Sequence, residues 1–291
     1  MSRATVTRTR PQHRRTAVLG RPGRSPPPGP FDNPSALSAH TKFLRSADIA
    51  RRFRSVPASA SSLRSVRKTV SKALGSASRT EVLTLAHDLI EAGIPRFVAY
   101  EIVVNHKSTF ESLSRREIEK LAAGIDNWGD IDSFACLLAG PAWRTGLIDD
   151  SVVRSWARSK DWCWRRAALV STVPLNSLAG TGPARPPKRP GTPPVLPAPG
   201  SVVPAGSSKA RGGQGDPKRT IELCRLLAND RHDMVEKALS WALRELSKRD
   251  AASVIKFLNE TDNLGARVKR EVNNKLTTGL KNPPKQQIAN G

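Results

Sequence analysis

Residues 78–105 read SRTEVLTLAHDLIEAGIPRFVAYEIVVN, and their pattern decides the fold class. Ser78 stands three residues before Glu81, the spacing of a capping box. In that motif the serine hydroxyl and the glutamate carboxylate each satisfy the other's orphan backbone N–H. Behind the cap, Val82, Leu85, Ala86 and Leu89 recur at helical spacing and give one apolar face. A second apolar run follows Pro95, so the stretch reads as two short helices, roughly 79–92 and 95–106, joined by a tight turn.

The same pattern continues outward. Ser114 and Glu117 form a second capping box, and apolar stripes predict further pairs at 115–124 with 130–140 and 150–158 with 161–174. Two more pairs follow at 218–228 with 231–248 and 250–260 with 264–280. β-Branched alternating runs bounded by turn dipeptides are missing, so the expected fold is all-α. Second helices begin near 95, 130, 161, 231 and 264, with steps of 35, 31, 70 and 33 residues. The long step is about two periods and contains TGPARPPKRPGTPPVLPAPGSVVPAGSSKARGGQGDP, residues 181–217, with ten prolines from 183 on. That composition excludes a helix pair and predicts a disordered Pro/Gly-rich insert. Without it the period is steady in the low-to-mid thirties, which predicts an α-solenoid of about five or six helix pairs with a concave face lined by second helices. An irregular helical bundle is the alternative.

Lys and Arg outnumber Asp and Glu by 48 to 25, a balance that calls for a polyanionic partner, most simply nucleic acid. Most of the excess lies outside the helix pairs. Residues 1–75 hold 16 basic side chains against Asp32 and Asp48, and residues 182–215 hold five against none. About +4 of the net +23 is left for the repeat region. Residues 1–40 read as a disordered basic tail and 41–75 as a basic amphipathic helical segment. The helical repeat domain spans 76–280, and 281–291 is a second tail. An organelle transit peptide is the other reading of the acid-poor start. Cys136, Cys163, Cys224 and the five histidines show no CxxC or HxxxH spacing, so neither zinc nor a disulfide framework is expected, and no cofactor. No apolar run approaches the ~20 residues that span a bilayer. The expected setting is cytoplasmic, on the nucleoid in a bacterium.

Three motifs fall on second helices or their entry turns: NWGDID at 127–132, DWCWRRAAL at 161–169 and KALSWALRELSK at 237–248, with VKREV following at 268–272. Their order and spacing resemble the DNA alkylation repair family of AlkD-type glycosylases, which are HEAT-like helical solenoids. The resemblance runs from about 78 to 280 with the insert as an interruption. It implies a monomer that excises N3- or N7-alkylated purines from double-stranded DNA without turning the base into a deep pocket. Position by position, it implies that Asp132 is the catalytic carboxylate and that Trp128 and Trp241 embrace the deoxyribose. Arg166 would hold the DNA backbone, with Arg165 as the neighbour that competes for this role, and Trp164 is the further aromatic candidate beside them. Other members favour a second Trp and an Asp where this chain has Asn127 and Gly129.

The chemistry suits these residues. A cationic alkylpurine is already a good leaving group, and breaking its bond builds positive charge on the sugar. A carboxylate stabilises that charge and activates water, and indole faces attract it. Each residue also has a plainer reading. Asp126 and Asp130 are placed to cap the 130–140 helix, and Asp132 could share that task. Trp128 could be a hydrophobic staple, and Trp241 a core ring among Ala238, Leu239, Ala242 and Leu243. Lys269, Arg270 and Lys275 are candidate phosphate contacts or a solvated face. The alternative function is a catalytically silent scaffold that binds DNA or a protein along the concave face. A weaker one is an RNA-binding module that uses the basic tails.

Overall fold

Both capping boxes close. Glu81 N donates to Ser78 Oγ at 3.3 Å while Ser78 N donates to Glu81 Oε2 at 2.7 Å, and Ser114 and Glu117 repeat the exchange at 3.4 and 2.8 Å. The computed structural model describes residues 45–177, 213 and 215–284. All elements named here belong to the unit Leu44–Gly291. The tail at 1–40, nearly all of the insert and residues 285–291 of the second tail lie outside the described residues.

Two basic helices come first, α1 (Ser46–Arg54) and α2 (Ala60–Ala73). Then come α3 (Arg79–Glu91), α4 (Arg96–Asn105), the short α5 (Lys107–Glu111) and α6 (Arg115–Leu121). Next are α7 (Trp128–Phe134), a π-helical turn at Ala135–Ala139, α8 (Gly140–Arg144), α9 (Asp150–Ala157), α10 (Trp162–Val170) and α11 (Val173–Asn176). The last described helices are α12 (Pro217–Leu226), α13 (Asp233–Leu246), α14 (Ala251–Asn259) and α15 (Ala266–Thr278). No strand occurs among the described residues.

Gly93 makes the first turn possible. At φ +74° it lets Ile94 N reach back to Leu89 O at 3.0 Å and its own N–H reach Ile90 O at 3.0 Å, a Schellman ending that an L side chain strains. The second helices start at Arg96, Trp128, Trp162, Asp233 and Ala266, so their steps are 32, 34, 71 and 33 residues. They pack in a row: α4 on α7, α7 on α10, α10 on α13, α13 on α15. On the other side α9 meets α12 and α12 meets α14. This all-α, two-layer order is consistent with a HEAT-like solenoid.

Three details depart from the sequence reading. The 130–140 helix begins at Trp128, and its N-cap is Asn127, whose side chain accepts from Asp130 N at 2.9 Å. Neither Asp126 nor Asp130 is the cap. The same helix continues to Arg144 through the π turn, where Gly140 N bonds Ala135 O. Pro141 has no N–H to give to Leu137 and its ring crowds that carbonyl, so the turn widens by one residue. Gly140 also gives α11 room: a Cβ there would lie 2.8 Å from Pro174 Cγ. The 161–174 helix breaks into α10 and α11, because Pro174 cannot donate to Val170 O. Finally, the insert assigned to 181–217 ends earlier than expected. Asp216 caps α12 by accepting from Arg219 N at 3.0 Å, and Pro217 is its first residue.

Candidate active site

α7, α10 and α13 stand side by side in the row of second helices, and one arginine joins them. Arg166, in the middle of α10, donates from Nε to Asp132 Oδ1 at 2.7 Å and from Nη2 to Asp132 Oδ2 at 2.7 Å. Its Nη1 donates to the carbonyl of Met234 in the first turn of α13. The fork geometry explains why an arginine is needed here: a lysine cannot bond both carboxylate oxygens in one plane and still reach a third acceptor. Side-chain exposure is 14% for Asp132 and 7% for Arg166. Burial pushes the Asp132 carboxyl above its ordinary value, and the hydrogen bonds and charge of Arg166 only partly offset the rise.

Asp130, two residues earlier, is in a different environment. Its Oδ2 accepts from Asn127 Nδ2 at 3.0 Å and faces Arg96 Nε at 3.8 Å. Arg96 itself covers the end of α6 by donating to the carbonyls of Leu121 and Ala123 at 3.1 and 2.8 Å. The carboxylates of NWGDID therefore divide: Asp130 serves the helix start, and Asp132 crosses to the next helix.

The aromatic candidates also divide. Trp128 is the first residue of α7 and is 57% exposed, which overturns the staple reading, because a staple is packed. Trp241 lies in the middle of α13 and rests half-buried against the core. Trp164 is enclosed on two sides, its ring 5.9 Å edge-on from Phe134 and 5.3 Å from Trp156. Trp156 in turn bonds Glu119 through Nε1 at 2.9 Å. Arg165 and Arg166 diverge as neighbours on a helix must. Arg165 turns to Asp230 at 2.6 Å and to the carbonyls of Ser159 and Lys160 at 3.0 and 2.7 Å. Of the six sequence candidates, the structure joins Asp132 and Arg166 directly and sets Trp128 and Trp241 on the two helices that flank α10. Arg166, expected on the DNA backbone, bonds Asp132 and Met234 within the chain and is 5% exposed.

Sequence reasoning did not single out Asp230, His232 or Met234. An acid in the turn before KALSWALRELSK, facing an arginine doublet one repeat earlier, is the signal that marks Asp230. Lys269 donates to Asp262 O at 2.9 Å and Lys275 to Gly279 O at 2.5 Å, so both finish turns of their own chain. A groove of about 680 Å3 between α12 and α14, lined by Ile221, Leu226 and Lys256 among others, contains none of the six candidates. Among the described residues no group of three His, Cys, Asp or Glu is placed to hold a metal ion, and no helix is long and apolar enough to cross a membrane.

The family model for DNA alkylation repair enzymes matches residues 33–275, most of the chain and all three motifs. This chain belongs to the DNA alkylation repair enzyme family. No curated protein and no solved structure matches it. In this repair enzyme the matched region carries the row of second helices from α4 into α15, with the Asp132–Arg166 pair near its middle.

Proposed function

We propose that this repair enzyme is a DNA glycosylase that hydrolyses the N-glycosidic bond of cationic N3- or N7-alkylated purines in duplex DNA, without flipping the base. The observation that carries the reading is the Asp132 carboxylate, held on both oxygens by Arg166 yet 14% exposed and on the same helix as the uncovered ring of Trp128. Family membership supports the choice of DNA damage as substrate.

In this reading the C1′–N9 bond breaks with its electron pair going to the purine, which leaves neutral because the alkyl group had made it cationic. Positive charge then spreads over the sugar ring. Asp132 stabilises it through space, and a water molecule bonds to C1′ as its proton passes toward the carboxylate. Arg166 leaves each carboxylate oxygen a second lone pair, fixes the direction in which those lone pairs point, and reduces the repulsion between Asp132 and nearby phosphates. The indole faces of Trp128 and Trp241 would flank the same developing charge. An open row of packed helices suits a lesion that stays in the duplex, since no enclosed pocket is required of it. The basic chain outside the repeats adds sequence-independent affinity that weakens steeply with salt.

The test is release of 7-methylguanine or 3-methyladenine from methylated duplex DNA. Wild-type protein releases base, and Asp132→Asn binds the same DNA with little or no release. Protein that binds methylated duplex and releases neither base is the silent scaffold instead, and the glycosylase reading is then wrong.

A further inference from the structure

The arginine doublet at 165–166 makes two sets of contacts that meet in one turn. Arg166 reaches the carbonyl of Met234, and the position of that carbonyl depends on how α13 begins. Its N-cap is His232, and Asp230 holds the turn just before that cap. Asp230 Oδ1 accepts the backbone N–H of His232 at 2.9 Å, and His232 Nδ1 accepts that of Met234 at 3.3 Å. The other oxygen, Oδ2, accepts from Arg165 Nε at 2.6 Å. Trp162, at the start of α10, stacks on the His232 ring with centroids 5.0 Å apart and planes 11° apart. The contacts close a ring that leaves α10 at Arg165, passes through Asp230, His232 and Met234, and returns at Arg166. Both members of the Arg165–Asp230 pair are shielded, at 19% and 11% side-chain exposure, where a charge-assisted bond is stronger than at an open surface.

We infer that Asp230, with Arg165 as its partner, is a positioning residue for the Asp132 carboxylate. Neither side chain touches the reacting atoms. Asp230 sets the turn, the turn places the Met234 carbonyl, the carbonyl fixes Arg166, and Arg166 aims Asp132. This revises the role of Arg165 from a DNA contact to a strut between α10 and α13. The effect on rate rests on the glycosylase reading, whereas the effect on Arg166 does not.

Asp230→Asn tests the inference, because it keeps the shape and the Oδ1 acceptor and removes the charge that holds Arg165. The probe is the Arg166 Nε–H signal by NMR, which exchanges slowly with solvent while it is bonded to Asp132. In Asp230→Asn this exchange should be at least about tenfold faster, with the backbone amides of Leu169 and Leu243 unchanged. In the same protein kcat for base release should fall about 10- to 100-fold with KM unchanged, the size expected when a catalytic group is misaimed rather than lost. Arg165→Lys, which reaches Asp230 with a single ammonium, should fall between wild type and Asp230→Asn on both measures, and it serves alone if Asp230→Asn does not fold. Arg166 exchange that stays at the wild-type rate, or that rises only in step with the core amides, shows a merely structural pair and overturns the inference. If wild-type protein releases no base, the glycosylase reading fails on its own, and the Arg166 signal still decides this one.

Discussion

Two acid–arginine clusters sit one helix apart in the row of second helices and differ in how open they are. On α4, Glu101 faces two arginines of α2, Arg64 Nε at 2.8 Å and Arg67 Nε at 3.2 Å, and its side chain is 3% exposed. The Arg64 guanidinium also lies 5.1 Å from the centre of the Phe97 ring. That carboxylate is sealed, and what it does is tie the basic segment to the first repeat. On α7, Asp132 has one arginine, several times the exposure of Glu101, and a carboxyl raised by burial. Two cations around an acid make a rivet. One cation beside a partly open acid leaves lone pairs directed and available. The difference between the two clusters therefore lies in access and in the number of arginine partners, because the residue types are nearly the same.

The largest expected effect that separates the two is on stability. Glu101→Ala leaves Arg67 buried without its partner and should cost about 3–5 kcal/mol, measured by denaturant unfolding, with base release per folded molecule unchanged. A loss of excision in folded Glu101→Ala protein would break the comparison. Asp132→Asn should do the reverse and lower base release about 10²- to 10³-fold while methylated duplex still binds. Trp128→Ala sharpens the contrast further. Removing a ring that is 57% exposed should leave stability within about 0.5 kcal/mol and lower excision about tenfold, within the reach of a cation–π contribution. Away from both clusters, Ser78→Ala should cost about 1 kcal/mol through the lost cap, with no change in excision.

The smallest effect is in pH. Because burial raises the Asp132 carboxyl, the folded protein retains a proton that the unfolded chain has released. The stability this group contributes is complete below its ordinary value of 3.8 and is lost as pH rises through the raised one. On the glycosylase reading, excision should run the other way across that window and rise as Asp132 ionises. Comparing unfolding curves of wild type and Asp132→Asn across that window should show this slope only in the wild type.

Much of the fold was legible because its signals are local. The Ser78–Glu81 and Ser114–Glu117 boxes need only four consecutive residues, and they close as expected. The period of the second helices survives the proline-rich interruption for the same reason. The start of α7 was misjudged because Asn127, Asp126 and Asp130 are all good capping residues, and the backbone path selects one of them. The π turn was missed because Pro141 announces a disturbed helix without saying whether it kinks, ends or widens. At the site, the family resemblance carried by NWGDID, WRRAAL and KALSWALRELSK pointed to Asp132 and the doublet. It could not separate the doublet, since adjacent helical residues differ only in direction, and direction has meaning only against a neighbouring helix.

By itself the sequence determined that this chain is helical, that its helices come in pairs at a near-constant period, and which acid and which indoles are worth attention. The helices and their period follow from interactions within a few residues: caps, apolar stripes, proline and glycine; the acid and the indoles follow from the family resemblance of the motifs. Only the tertiary structure decided that Arg166 clamps Asp132, that Arg165 and Asp230 hold the turn beside it, and that Trp128 is left uncovered. Those facts depend on contacts between residues 34 to 68 positions apart. They exist only once α7, α10 and α13 are stacked, because a carboxylate acquires its partner, its burial and its proton affinity from what the neighbouring helices bring to it.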